Sequence, residues 1–272
     1  MILNYYERGN KNDPLVLFIH GSASDATVWL NEVNILAAKG YYCIAFDLRG
    51  HGDTRLMIQP KAHVKIDIDS HIQDVKETLK ELGIAHDRKI TFVTHSFGGL
   101  VAVNFAERYP ARVDRLVLVC LPPKLIFPIS TFLKVLLGKP LEFIQANLDF
   151  FQQTRLRSRY KSSILTNAHV LQEIYKHVKT WNSYKKVPRL VNKIYFAAGR
   201  FDLVAPAPLV YRLHQMTIGS DFEHFKWSGH ALMEDEPEKF QAWLLKCVSE
   251  PLEPAETKQP KKQHEENQDI AS

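Results

Sequence analysis

The sequence is poor in cysteine, with 3 in 272 residues, and none of the three is spaced Cys-x-x-Cys. Cys43, Cys120 and Cys247 lie in segments that read as two strands and a helix. An odd set so placed fits buried, reduced thiols in a cytoplasmic protein better than a disulfide framework. Long hydrophobic runs are missing as well. The longer ones, such as Leu15 to Ile19 and Leu116 to Leu121, are far below the roughly 20 residues that span a bilayer. The opening Met-Ile-Leu-Asn-Tyr-Tyr-Glu-Arg has no basic stretch leading into an apolar core, so no secretory signal is expected. Neither Gly-x-x-x-x-Gly-Lys-Ser/Thr nor Gly-x-Gly-x-x-Gly occurs, which removes the usual nucleotide and dinucleotide loops. The 12 histidines are scattered without the paired spacing of zinc ligands. No metal and no cofactor are expected, and the chemistry must come from side chains. Nucleic acid is not expected either, because the basic residues follow no binding motif.

What is present is a hydrophobic content of 45%, ample for the core of one large domain with an insertion. Strand-like and helix-like segments alternate from the N-terminus, which argues for a mostly parallel, doubly wound α/β sheet. Val16 to Ile19, Tyr42 to Phe46, Ile90 to Val93, Leu116 to Cys120 and Ile194 to Ala197 are short, nearly continuous apolar runs. Such runs suit strands covered on both faces. Glu223 to Trp227 reads as a weaker last strand. Ile72, Val75, Leu79 and Leu82 form one helical stripe that Gly83 can end in a left-handed conformation. Leu100 to Ala106 is apolar all round except Asn104, so it reads as a helix inside the core.

After Cys120 the alternation stops. Residues 122–188 carry only helical patterns, such as Leu141, Ile144, Leu148 and Phe151, then Leu171, Ile174, Val178 and Trp181. The expected division is a core of residues 1–121 and 189–248, a helical cap of 122–188, and a disordered tail of 249–272. The tail has no periodicity and is rich in Pro, Glu, Lys and Gln.

Ile90-Thr-Phe-Val-Thr-His-Ser-Phe-Gly-Gly99 runs from a buried strand straight into a helix with Ser96 at the junction. A serine there is often only a helix cap. In order along the chain, however, His20-Gly-Ser22 follows the first long strand and Asp47-Leu-Arg-Gly-His-Gly-Asp-Thr54 follows the next. Gly199-Arg-Phe-Asp202 and Ser228-Gly-His-Ala231 follow the last two strands. Together these resemble the α/β-hydrolase fold superfamily, in its serine esterase and lipase-like branch with a helical cap, over about residues 1–248. The resemblance implies Ser96 as nucleophile at the elbow, Asp202 as acid and His230 as base. It also implies the backbone N–H groups of Ser22 and Phe97 as oxyanion donors, each worth about 3 kcal/mol. The alternative family location for the acid, Leu121-Pro-Pro-Lys124, holds no carboxylate.

Two departures accompany the resemblance. Thr94 stands where the family prefers glycine, and the first N-terminal strand of the fold is not expected, which would leave Leu3 and Tyr5 on a new edge. Local readings cover the neighbouring polar residues: His95 points away from Ser96, His20 braces its own loop, and Glu234 and Asp235 cap the last helix.

The implied activity is cleavage of a carboxylic ester of a small or medium hydrophobic substrate through an acyl-serine. The same triad also serves thioesterases, carbon-carbon bond hydrolases, haloperoxidase-like enzymes and acyltransferases. Epoxide hydrolases and haloalkane dehalogenases differ in carrying aspartate where Ser96 stands. A non-catalytic ligand receptor is the alternative of another class. Residues 122–188 hold eleven Lys or Arg against three acids. Arg155, Arg157, Arg159, Lys161, Lys185 and Lys186 are therefore candidates to meet an anionic membrane surface or a phosphate-bearing substrate.

Overall fold

The computed structural model describes residues 1–57, 65–124, 166 and 168–251. Within them seven strands form one sheet: β1 (Tyr5–Arg8), β2 (Leu15–Ile19), β3 (Tyr42–Phe46), β4 (Ile90–His95), β5 (Val113–Val119), β6 (Lys193–Gly199) and β7 (Asp221–Phe225). Their spatial order is β1-β3-β2-β4-β5-β6-β7, with β1 antiparallel to β3 and every other pair parallel. The covering helices are α1 (Leu30–Ala37), α2 (Ile68–Glu81), α3 (Phe97–Arg108), α4 (Ala168–Thr180), α5 (Ser183–Lys186), α6 (Ala207–Gln215), α7 (Leu232–Asp235) and α8 (Pro237–Ser249).

All residues of β2 and β3 are buried, as their continuous apolar runs require of strands sandwiched between helices. Truncating one such side chain, for example Phe18→Ala, removes packing worth about 3–5 kcal/mol. That stiffness holds the strand ends where loops emerge. The stripe on α2 buries Ile72, Val75 and Leu79, Asp67 caps its start by accepting from Ser70 N–H at 2.7 Å, and Gly83 follows at φ +70°. Residues 97 to 106 of α3 are all buried, and Asn104 meets its polar demand by donating to the Leu100 carbonyl at 2.8 Å.

Chain order places β3 on one side of β2 and β4 on the other. The helices after β2 and β4 therefore leave in opposite directions, and a crevice opens beyond the C-terminal ends of those two strands. The loop bearing Ser22 and the elbow bearing Ser96 flank it.

Three details differ from expectation. Leu3 is buried, because the chain ahead of β1 runs against α2, where the Leu3 N–H donates to Thr78 Oγ1 at 2.9 Å. The last strand is Asp221–Phe225, two residues earlier than the apolar pattern suggests. Its register with β6 ends at the Gly199–Phe225 pair, and its outer position leaves it half-exposed, so it carries no apolar run. β5 stops at Val119, one residue before Cys120.

Of the expected cap, Leu141, Ile144, Leu148, Phe151, Arg155, Arg157, Arg159 and Lys161 lie outside the described residues, as does the tail beyond residue 251. The second stripe is seen: α4 buries Leu171 and Ile174, and Trp181 just past it donates to Ser183 Oγ at 2.6 Å. Lys186 reaches Glu107 and donates to Asn104 Oδ1 at 3.0 Å on α3. Among the described residues no helix is long and apolar enough to cross a membrane.

Candidate active site

Ser96 sits between β4 and α3 at φ +48°, a left-handed conformation that a non-glycine residue adopts only under strain. Its own N–H is spent on the Val119 carbonyl at 2.9 Å, which ties the turn to β5. The tightness has a measurable cause. A Cβ on Gly98 would lie 2.5 Å from the Ile19 carbonyl oxygen, so α3 can pass β2 only with glycine there. A Cβ on Gly21 would lie 2.7 Å from His95 Nδ1 and 3.2 Å from Ser96 Cβ. The loop that carries Ser22 is thus pressed directly against the serine. Phe97 is the first residue of α3, so its N–H belongs to the donors that a helix leaves without an internal acceptor. Thr94, the departure from glycine, is accommodated: its side chain is buried and its hydroxyl donates to the Val117 carbonyl at 3.3 Å.

Asp202 follows β6 and is 3% exposed. Its Oδ1 accepts from the Val204 and Ala205 N–H groups at 2.8 and 2.9 Å, and its Oδ2 lies 2.7 Å from His230 Nδ1. Burial alone would raise the Asp202 pKa, but the His230 charge and hydrogen bond, the Ala205 N–H and the Cys120 thiol outweigh it and hold the carboxyl below its usual range. The carboxylate stays ionised and fixes His230 with its proton on Nδ1, which leaves Nε2 as the basic nitrogen.

The loop of His230 is braced twice. The Gly229 N–H donates to Asp235 Oδ2 at 2.8 Å, and His95 Nε2 lies 2.7 Å from the His230 carbonyl. A carbonyl only accepts, so His95 must carry its proton on Nε2. Burial first, and then the His230 charge, lower its pKa to about 3. Asp235 binds the histidine loop where a helix cap was expected, and His95 faces His230, with ring centroids 4.7 Å apart.

His20 braces its loop as expected. The Leu48 N–H donates to its Nε2 at 2.9 Å, and its Nδ1 lies 2.6 Å from the Gly21 carbonyl. Asp47 is structural: its carboxylate accepts from Ala26 N at 2.7 Å, Asn4 Nδ2 at 2.8 Å and Asp53 N at 2.9 Å. Sequence reasoning assigned no role to Cys120, His51 and His71, although His51 stands inside the Asp47–Thr54 motif. His51 and His71 are fully buried, and His71 Nδ1 and Nε2 and His51 Nε2 have no hydrogen-bond partner among the described residues.

A cleft of about 310 Å³ beside α3 is lined by Ile68, Leu100, Trp181, Lys185 and Lys186 among others, and by no residue of the Ser96, Asp202 and His230 group.

A strained serine elbow, a hydrogen-bonded Asp–His pair and a glycine-tight loop at one sheet edge define a class. The chain matches the family model of the α/β hydrolase fold over residues 14–163, more than half its length, and it belongs to that family. It is 38% identical over 120 residues to an epoxide hydrolase 1 of Caenorhabditis elegans, covering 44% of this chain and 28% of that protein. An uncharacterized protein of Mycobacterium bovis is 25% identical over 277 residues, covering 89% of this chain and 77% of its own. In fold the chain resembles an esterase from Exiguobacterium antarcticum, with a TM-score of 0.76 at 19% identity over 91% of this chain and 96% of that one. It also resembles an enol-lactonase from Burkholderia xenovorans, with a TM-score of 0.75 at 17% identity over the same shares.

Proposed function

We propose that the chain is a serine hydrolase that cleaves a carboxylic ester of a small or medium hydrophobic substrate through an acyl-serine. The observation that carries this reading is the 2.7 Å contact of His230 Nδ1 with a buried, ionised Asp202. In this reading His230 Nε2 takes the Ser96 proton as Oγ attacks the ester carbonyl. The tetrahedral oxyanion is met by the Ser22 and Phe97 N–H groups, and His230 returns the proton to the leaving alcohol. Water, deprotonated by the same imidazole, then releases the acid and restores Ser96.

The epoxide hydrolase relative stands for a second chemistry, in which the residue at the elbow is aspartate. Here it is serine, which supports acyl transfer instead. Lys185 and Lys186, beside the cleft along α3, support a substrate with an anionic group or an anionic surface nearby.

A fluorophosphonate probe tests the reading. Wild type should label at one site and Ser96→Ala should not. Wild type should then turn over p-nitrophenyl esters with a preference among acyl lengths. An unlabelled wild type sinks the serine mechanism, and labelling without ester turnover moves the scissile bond to a thioester or carbon-carbon bond.

A further inference from the structure

Phe201 and Leu203 stand on either side of Asp202, and Trp227 stands just ahead of Ser228-Gly-His230. Asp202 and Ser228 are buried, yet Phe201 is 57%, Leu203 72% and Trp227 76% exposed. An indole, a phenyl ring and a leucine left together in water cost hydration free energy that polar residues would avoid, and such a patch marks a contact surface. Two hydrogen bonds knit the loops after β6 and β7 into one rim. The Arg200 N–H donates to the Phe225 carbonyl at 2.9 Å, and the Phe201 N–H donates to the Ser228 carbonyl at 3.0 Å. β6 and β7 run parallel to β4, so the rim lies at the same end of the sheet as Ser96.

Each aromatic follows a cation in the chain, Arg200 before Phe201 and Lys226 before Trp227, and both cations are exposed. The Arg200 guanidinium lies 5.6 Å from the centre of the Phe201 ring, and among the described residues neither cation forms an ion pair. Two acids of the adjoining segment are taken up by backbone: Glu236 Oε2 accepts from the Trp227 N–H and Asp235 Oδ2 from the Gly229 N–H, each at 2.8 Å. Three side chains of this size offer on the order of 400 Å², about half of what each partner gives to a stable protein interface, which argues against a second copy of the chain. A lipid surface demands no matching shape. It takes apolar and aromatic side chains into the headgroup boundary while Arg and Lys extend to the lipid anions. We propose that the rim formed by Arg200, Phe201, Leu203, Lys226 and Trp227 is a docking face for an anionic lipid surface, and that docking sets the catalytic end of the sheet against the membrane. The face shares no residue with the cleft beside α3. Docking needs no chemistry at Ser96.

Tryptophan fluorescence tests the face directly, because Trp29, Trp181 and Trp243 are buried and Trp227 is the exposed one. With vesicles of phosphatidylcholine and phosphatidylserine, emission should move to the blue and be quenched by brominated acyl chains. In co-sedimentation Trp227→Ala should lower partitioning about tenfold. Arg200→Gln with Lys226→Gln should lower it about thirtyfold on the anionic vesicles and far less on phosphatidylcholine alone. All three positions are exposed, so the variants should keep the wild-type circular dichroism and melting temperature. Ser96→Ala should dock as wild type does, which separates this inference from the serine mechanism. Absence of binding, or equal binding to neutral and anionic vesicles, overturns the proposal. So does binding that leaves Trp227 unquenched and the variants unaffected, since it then belongs to other basic residues. A concentration-dependent dimer that Trp227→Ala dissolves would give the face to a second copy and overturn the proposal as well.

Discussion

His230, on the loop after β7, and His95, at the end of β4, stand in a hydrogen-bonded network that ends on a carboxylate, whereas among the described residues no carboxylate hydrogen-bonds the rings of His20, His51 and His71. The first pair is joined by the 4.7 Å ring contact and by the bond from His95 Nε2 to the His230 carbonyl, and His230 in turn meets Asp202. In the second group the His20 and His51 rings lie 5.1 Å apart, and His71 packs edge-on against Phe97 at 5.3 Å. Burial lowers the pKa of His20 to about 4. Burial with the neighbouring His20 charge lowers that of His51 to about 3, and burial with the His51 and Arg49 charges takes His71 well below its usual value. His230 is held in one tautomer by a carboxylate, whereas burial keeps His95, His20, His51 and His71 uncharged. What differs is the partner and not the residue.

Removing the partner should produce the largest effect. Asp202→Asn is expected to lower kcat by about 10⁴-fold, because the amide presents the wrong hydrogen to Nδ1 and reverses the imidazole tautomer. Steady-state rates on a p-nitrophenyl ester check this, and a loss below tenfold would erase the distinction between the two groups. Acid should next expose the neutral group. Folded His20 and His51 stay uncharged while the unfolded chain binds protons below about pH 6.5, so the unfolded state gains protons and stability falls as pH drops. The loss runs from about pH 6.5 down to about 4 for His20 and about 3 for His51. Each contributes roughly 1.4 kcal/mol per pH unit, and His95 adds a similar share. Urea midpoints between pH 7 and 4 measure the slope, and a flat profile contradicts it. The smallest change is expected from His71→Leu. Replacing a buried ring whose nitrogens lack partners should cost less than about 1 kcal/mol or raise stability slightly, and should make the acid slope shallower. A loss above about 2 kcal/mol would mean that those nitrogens are bonded after all.

The strands of the sheet's middle were readable because burial on both faces leaves an uninterrupted apolar run, and the elbow was readable because Gly98 has no alternative beside the Ile19 carbonyl. The candidates Ser96, Asp202 and His230 came from the family resemblance of their motifs, and the structure joins Asp202 to His230. The bracing of these residues was not readable. His95 acts across 135 residues in the chain and Cys120 stands out through its backbone conformation, and neither leaves a local pattern in residue types, while Asp235 reaches Gly229 only six residues away. Cys120 looked like one more apolar strand residue because a thiol is small and mostly buried wherever it occurs. β7 was misplaced by two residues because an outer strand is half-wet and its register, set by β6, is invisible in its own sequence.

The two outer strands have a consequence for how molecules of this chain behave toward one another. β1 is only four residues long and ends on exposed Glu7 and Arg8. β7 carries Asp221 and Glu223, held by Lys193 at 2.6 Å and Lys239 at 2.8 Å. An open sheet offers its unpaired backbone to any passing strand, and short borders studded with charge are poor templates for such joining. At high protein concentration the sheet's borders therefore discourage self-association, and the crowded apolar interior stays within one molecule.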